Sequence, residues 1–506
     1  MALWLIHLGL ITALMLWIWR RNGPRHAIAA GMLLVALVPE WIRWYPFEPG
    51  GVLSDPTRFN SHSLWITVRM ACGIVGGCLY MLHPSATYNL RLIWSDWAVL
   101  GLAAVHLLSD SLVDGFHLTT VLRAYGEWVL PYLLGRIAIQ SISDVRWALA
   151  IAVTVALLLA VESAAESLLS LDPNPSEILA GLERRPEEGT PHRIPRLGVK
   201  RAYGPTMNPI YFAALQFLFL PWMLYAASRA LKSQSLPMWW SAMPFISVIG
   251  IAGPVSRAPI LALGGMVYTL IMILQSRWRP VLATAGVVLA LAAVAGWTRV
   301  ILSLEDVVGE NRREAVTVVD GKQVKWTNAR HRLLLFQEYW PAIRRTGLLG
   351  WGTRRLTGFP PDLPRSSVLY PVETDVQLSQ APGAPLPAFT VPAARKVDVD
   401  TLDNAFLLQT LRFGWLGLIF FVAVQVLGIC NYVRLAVTGS GEGRIWLAAS
   451  AATIVGMVLI LLTVWMPQDF GFFYFWMIGA SAGLLAEREN PRLGSTSDVR
   501  SPLLAD

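Results

Sequence analysis

The sequence predicts an all-α polytopic membrane protein, with about 12–13 transmembrane helices and one large exoplasmic loop before the last three. Three observations predict it. Apolar runs of about 17–25 residues, each long enough to span a bilayer, recur along the whole chain. Only 15% of the 506 residues are charged while 55% are hydrophobic, and the mean hydropathy is +0.50. A soluble enzyme of this length carries far more charge. Finally, the short connections between runs alternate between basic and acidic character, as loops on two sides of a membrane do.

In order, the candidate spans are 2–19, 27–43, 64–82, 93–109, 121–139, 147–169, 207–227, 238–254, 258–275, 280–300, 405–430, 445–465 and 470–486. The first reads as a span and not a signal peptide, because it lacks a basic leading segment and no small-residue cleavage site precedes Arg20-Arg21. The fifth, "VLRAYGEWVLPYLLGRIAI", holds Arg123, Glu127, Pro131 and Arg136. It should therefore face the bundle interior, where Arg123 and Glu127, one helical turn apart, can pair.

The connection "RRNGPRH" (20–26) is basic and "SDSLVDGF" (109–116) is acidic, while Arg229/Lys232, Arg277/Arg279 and Arg434/Arg444 fall on the side of the first. Positive charge marks the cytoplasmic side, which puts the N-terminus outside and the C-terminus in the cytoplasm. The chain then divides into N-terminal membrane helices (1–170), a basic exoplasmic loop (171–206), central membrane helices (207–300), a large exoplasmic loop (301–404), C-terminal membrane helices (405–486) and a cytoplasmic tail (487–506). Glu162 and Glu166, at the outer end of the sixth span, read as a solvated face.

Both long loops have content. The first is rich in proline and charge, including Arg193, Arg196, Lys200 and Arg201. A basic outer face suggests an anionic ligand arriving there. The second opens with "AVTVVDGKQVKW" (315–326), two alternating runs around Asp320-Gly321, a strong hairpin signal. Next, "NARHRLLLFQEYWPAIRRTGLLGWG" places Leu333, Phe336, Trp340 and Ile343 on one helical face, predicting an amphipathic helix able to lie on the membrane surface. From Pro360 to Pro392 the chain is proline-rich and expected to be extended.

Several chemistries find no support. There is no GxxxxGK[ST], no GxGxxG between a strand and a helix, no HExxH and no serine nucleophile elbow. "DVD" at 398–400 is too short and common a pattern to assign a metal. Cys72, Cys78 and Cys430 lie in or at the ends of apolar spans and read as packing residues. The formal net charge of +8 lies largely in short loops, so it speaks of membrane topology and not of nucleic acid. No metal and no cofactor is expected.

What remains is a set of polar residues where outer loops meet helix ends. "KRAYGPTMNPIYFAAL" puts Arg201 just outside the seventh span, with Gly204 and Asn208-Pro209 shaping the approach. "GPVSRAPIL" puts Arg257 in a tight connection between the eighth and ninth spans, and "DVDTLDNAFLLQTLRFGWLGL" delivers Asp403 and Asn404 at the start of the eleventh. Two arginines can clamp a pyrophosphate, leaving a carboxylate and an amide for proton transfer or orientation. Each has a plainer alternative. Arg257 could snorkel to the headgroups, Asp403 could cap its helix, and Arg196 and Lys200 compete with Arg201 as anion contacts. Arg332 in the large loop is a further candidate contact, and "GWG" (350–352) forms either a turn seating Trp351 at the interface or a platform for glycan stacking.

"RAYGPTMNPIYFAALQFLFLPWML", "SRAPILALGGMVYTLIMIL", "TGLLGWGT" and "DNAFLLQTLRFGWLGLIFF", in that order and with the long loop in the expected gap, resemble the successive motifs of the O-antigen ligase and polymerase superfamily. The resemblance covers roughly residues 195–430. It implies transfer of a glycan from an undecaprenyl-pyrophosphate carrier to an acceptor glycan hydroxyl at the outer face of the bacterial plasma membrane. By that resemblance Arg201 and Arg257 hold the pyrophosphate. The family's ligases carry a histidine at the end of the large loop, where this sequence has Asp403. That favours polymerisation of O-antigen, exopolysaccharide or capsule repeat units, with ligation proper as the alternative. The reading leaves room for a flippase and a chain-length regulator as partners.

Two rival functions carry their own signals. A polysaccharide or lipid transporter is expected to show inverted repeats, and none is seen here. A glycosyltransferase with its acids in an early loop would use Glu48 and Asp55 instead. The topology is directly testable: cysteine reporters at Ser235 and Ser379 should be labelled from the cytoplasm and from outside, respectively. Labelling of both from one side would overturn the orientation.

Overall fold

The computed structural model describes residues 2–40, 42–44, 66–83, 91–169, 199–206, 208–232, 237–295, 316–319, 322–325, 339–340, 342–353, 404–439, 441–464, 466 and 468–489. It is an all-α polytopic bundle, and helix coincides with every expected span. Helices α1 (Ala2–Asn22), α2 (Pro24–Leu34), α3 (Val68–Met81) and α4 (Trp94–Asp114) come first. The fifth span is one helical stretch made of α5 (Leu118–Ala124), a π-turn at Tyr125–Val129 and α6 (Leu130–Ala138). Then follow α7 (Ile142–Leu168), α8 (Pro209–Lys232), the short α9 (Met243–Ala252), α10 (Arg257–Leu274) and α11 (Arg279–Ala295). The last three are α12 (Ala405–Thr438), α13 (Gly443–Leu461) and α14 (Gln468–Glu489). Among the described residues, 7 helices are long and apolar enough to cross a membrane.

The bundle has two chemically distinct ends. At one, Arg146 and Arg229 approach Glu442, Arg434 approaches Glu489, and Arg444 donates to Leu274 O. The other end gathers the ends of α4, α7 and α9 with the starts of α5, α8, α10 and α12; it is the end that adjoins the two long loops. Helix α8 lies at the centre, with 94% of its apolar window buried, whereas α10 has 28% buried and turns most of its surface outward. An outward apolar surface is the expected solution where the solvent is lipid.

The fifth span faces inward, as its charges require. Arg123 Nε lies 3.8 Å from Glu127. Arg136, 2% exposed, pairs with Asp96, and the Tyr132 hydroxyl donates to the same carboxylate at 2.8 Å. Small residues let α6 and α14 touch backbone to backbone. A Cβ at Gly479 would stand 1.9 Å from Tyr132 O, and one at Gly135 would stand 1.9 Å from Trp476 O. Close approach through glycine is how membrane helices gain packing energy when lipid offers no hydrophobic drive between them.

Three expectations need correction. Residues 109–114 are helical, because α4 runs on to Asp114, and Asp110 is buried at 1% exposure instead of lying in an acidic loop. In the large loop, residues 339–340 and 342–345 are helical, but Tyr339, Ala342 and Ile343 pack on Leu407, Leu408 and Leu411 of α12. Of the predicted membrane face, Ile343 is thus covered by protein while Trp340 stays 43% exposed; Leu333 and Phe336 lie outside the described residues. The predicted hairpin strands are present, Val316–Val319 pairing antiparallel with Lys322–Lys325, and Asp320-Gly321 lie outside the described residues.

The third correction concerns the eleventh span. Helix α12 is broken at Gly414, whose φ of 67° and ψ of −164° are not helical. Residues 347–352 fill the break: Gly347 O and Leu348 O accept from Trp415 and Leu416 N–H, while Trp351 and Gly352 N–H donate to Leu411 O and Arg412 O. Only glycine takes this φ without strain, and a Cβ there would meet Leu348 at 2.4 Å. A large side chain at Gly479 should force α6 and α14 apart. Gly479→Leu is expected to cost about 1–3 kcal/mol and to lower the thermal midpoint in detergent. A wild-type midpoint would show that the two backbones do not meet.

Candidate functional site

The site is built from the segment 200–206, the connection 253–256 and the helix ends beneath them. Segment 200–206 leaves α7's neighbourhood and enters α8, so its backbone groups need partners off the helices. Glu166 on α7 supplies them. Its carboxylate is 1% exposed and accepts from Tyr203 N–H at 2.6 Å and from Gly204 N–H at 3.2 and 3.3 Å. Gly204 takes a positive φ of 51°, and the Phe212 ring occupies the space where a side chain would be, 2.3 Å from an added Cβ. On the far side Pro205 O accepts from Glu40 N–H at 2.8 Å. Asn208 Oδ1 accepts from Ile210 N–H at 2.8 Å, so this candidate ligand contact serves the first turn of α8.

The expectation of a solvated Glu166 is therefore overturned. A buried carboxylate in a membrane protein needs donors, and two loop amides provide them. The signal was present in the sequence as an acid at the end of an apolar span, but its partners lie 37 and 38 residues away.

The same segment grips the α9–α10 connection. Ala202 N–H donates to Gly253 O at 3.3 Å, and Arg201 Nε donates to Pro254 O at 3.1 Å. Below it, Ser163 Oγ and Gln216 Nε2 both donate to Gly250 O, at 2.7 and 3.0 Å, fixing the end of α9. Val255 is held at φ 50°, a left-handed conformation that a β-branched residue rarely adopts. Such strain persists where surrounding contacts over-determine the backbone, and it clusters at functional sites.

Arg257 opens α10 as its first residue and is exposed. Ser256 makes no side-chain cap, so its hydroxyl leaves the first-turn amides of α10 alone. No carboxylate among the described residues forms an ion pair with Arg257, and a helix N-terminus adds positive potential beside it. Arg201 and the connection bearing Arg257 are thus brought together at one corner, with an exposed guanidinium and a helix N-terminus both suited to an anion.

The remaining candidates distribute differently. Arg196, Arg332 and Asp403 lie outside the described residues. Lys200 is half-buried next to Arg201. Asn404, 1% exposed, is the N-cap of α12: its Oδ1 accepts from Leu407 N–H at 2.9 Å and its Nδ2 donates to Leu462 O at 2.9 Å. The capping role expected of Asp403 thus falls one residue later, and the amide ties α12 to the end of α13. Trp351 is half-buried in the segment that fills the α12 break.

Residues 242–422 match the family described as O-antigen ligase. No curated protein matches the chain. The match spans the Arg257 connection, α10, α11, the large loop and the α12 break, and begins after Arg201 and Glu166. It supports the O-antigen ligase and polymerase superfamily, and with it glycan transfer of that general type by a multi-pass membrane protein.

Glu166 makes this corner testable without touching the arginines. Glu166→Ala removes the acceptor for two buried amides and should lower glycan transfer about 10- to 100-fold. Glu166→Gln, which keeps one acceptor oxygen, should fall between. Wild-type transfer by the alanine variant would show that segment 200–206 needs no anchor.

Proposed function

We propose that this protein, which carries the O-antigen ligase family match over residues 242–422, moves a glycan from an undecaprenyl-pyrophosphate carrier to an acceptor glycan hydroxyl at the outer face of the bacterial plasma membrane. The observation that carries this reading is the corner where Arg201 binds Pro254 O, three residues before an exposed Arg257 that no described carboxylate neutralises. An apolar protein with an unneutralised cation at a helix N-terminus is suited to an anion held at the membrane interface. A lipid pyrophosphate is such an anion.

In the reaction, the acceptor hydroxyl oxygen bonds to the sugar's anomeric carbon while the bond from that carbon to the pyrophosphate oxygen breaks. Negative charge grows on the leaving pyrophosphate, and a preorganised guanidinium meets it with parallel hydrogen bonds at no reorganisation cost. The hydroxyl proton needs an acceptor, and Asp403 is the carboxylate we assign to it. Arg201 and Lys200 extend the cationic surface, and Arg196 is assigned to the same anion. Asn404 and Asn208 serve by holding α12 and α8 at this end, and Arg332 and Trp351 are assigned to the glycan.

Orientation follows from charge. Arg25, Arg146, Arg229, Arg279 and Arg444 gather at the end opposite the Arg257 corner, which supports a cytoplasmic assignment for that end and an exoplasmic one for the corner. Polymerisation of repeat units is favoured by Asp403 standing where the ligases have histidine. The family's description as O-antigen ligase favours ligation as the second reading. Lipid-linked glycans in a deletion strain separate the two: single repeat units on the carrier mean polymerase, and long chains mean ligase.

Arg257 carries the decisive test. Arg257→Ala should lower transfer about 30- to 1000-fold at unchanged membrane abundance, the loss of about 2–4 kcal/mol of transition-state stabilisation. Arg257→Lys should recover only part, since an ammonium cannot make the paired contact. A snorkelling arginine predicts full replacement by lysine. Normal surface glycan in the alanine variant at normal abundance would end the proposal.

A further inference from the structure

A second polar cluster stands at the same end of the bundle, built on helices that the Arg257 corner does not use. His106 and Asp110, one turn apart on α4, are 0% and 1% exposed. Trp128 Nε1–H donates to His106 Nδ1 at 3.0 Å, which leaves the ring proton on Nε2, 3.3 Å from Asp110 Oδ2. The Asp110 carboxylate accepts the Thr353 amide at 2.6 Å and the Thr353 hydroxyl at 2.5 Å. The Phe413 ring lies 4.6 Å from the imidazole, and Glu127 lies 3.8 Å from Nδ1. Trp128 thus fixes the His106 ring from the π-turn side, and His106 Nε2 and the two Thr353 donors converge on the Asp110 carboxylate.

Each end of this cluster is an irregular element. Trp128 belongs to the π-turn of the fifth span, and Thr353 ends the segment that fills the break in α12. π-Turns and broken membrane helices both cluster at functional sites. Two ionisable side chains buried within a membrane-crossing helix are costly, and such residues mark function by default. What they hold is the segment bearing Trp351, whose half-buried indole packs beside Tyr339, Leu407 and Leu411 and keeps part of its surface open.

We infer that Asp110, steadied by His106, is a positioning residue: it latches residues 347–353 into the α12 break and so presents Trp351 to the acceptor glycan. The inference rests on the glycan-transfer reading above. Asp110 and His106 touch no substrate; they act through the backbone of Thr353. The donor corner is built from α7, α8, α9 and α10, so loss of the latch should spare carrier binding.

The test uses full-length protein in liposomes, with undecaprenyl pyrophosphate as the binding probe. Lipid-linked glycan extracted from a strain lacking the protein is the substrate. Asp110→Asn should lower glycan consumption about 10- to 100-fold while leaving undecaprenyl pyrophosphate binding unchanged. Thr353→Val should lower it less, and Thr353→Ser should restore the wild-type rate. Hydrogen exchange at the Trp351 and Gly352 amides should quicken in Asp110→Asn. Unchanged exchange overturns the latch itself, whatever the reaction. Wild-type consumption by Asp110→Asn, or loss of carrier binding in step with consumption, overturns its acceptor role. If the wild-type protein neither binds the carrier nor consumes the glycan, the functional reading fails, and the exchange measurement still decides the latch.

Discussion

Inside a bilayer a backbone amide or carbonyl that leaves a helix finds no water, so it must be satisfied by the protein itself. Almost every feature at the functional end of this bundle answers that constraint. Gly250 O, at the end of α9, is met by Ser163 and Gln216 from two other helices. Pro254 O, one turn later, is met by Arg201. The amides of Tyr203 and Gly204 are met by Glu166, and those of residues 351–353 by α12 and Asp110. The connections are thereby fixed as firmly as the helices they join.

This arrangement has an electrostatic consequence. Glu166 and Asp110, two buried acids of this end, are committed to backbone or hydroxyl donors by the contacts described above. Each carboxylate is stabilised where it sits, and Arg257 is left without one among the described residues. At the opposite end the pattern reverses: Arg146, Arg229 and Arg434 all find glutamates. An exposed arginine at a helix N-terminus, with no ion pair among the described residues, suits the anionic ligand proposed above.

Much of this was legible in the sequence, and what was not has a physical cause. Span positions follow from runs of apolar residues, a local property, and each run coincides with helix. The "DG" hairpin and the pairing of Arg123 with Glu127 are local as well. The positions of Arg201 and Arg257 at helix ends were readable, but not the Pro254 carbonyl that joins them across 53 residues. Long-range partners were invisible throughout. Asp110 looked like a loop acid because Thr353, its reason for being buried, lies 243 residues on. The break at Gly414 hid inside "RFGWLGL", whose hydropathy is that of an unbroken helix; only the docked segment 347–352 makes a bend there affordable.

These long-range contacts also explain how the two halves of the chain divide the work. The family match begins at residue 242 and ends at 422, so it contains the Arg257 connection and the α12 break but none of the acids that anchor them. Those acids come from the N-terminal helices: Glu166 holds the segment that grips Gly253 and Pro254, and Asp110 holds Thr353. Most positions on those helices need only be apolar and of suitable size, since lipid and neighbouring helices ask no more. The demand sharpens at Asp110 and Glu166, because a buried backbone donor accepts no apolar substitute. In the function proposed above, donor recognition asks for a cationic corner, a requirement that ligation and polymerisation share. What separates the two reactions is the acceptor, and the groups assigned to it here sit on the large loop and its stem. In this protein that stem is fixed from outside the matched region, by a carboxylate on α4.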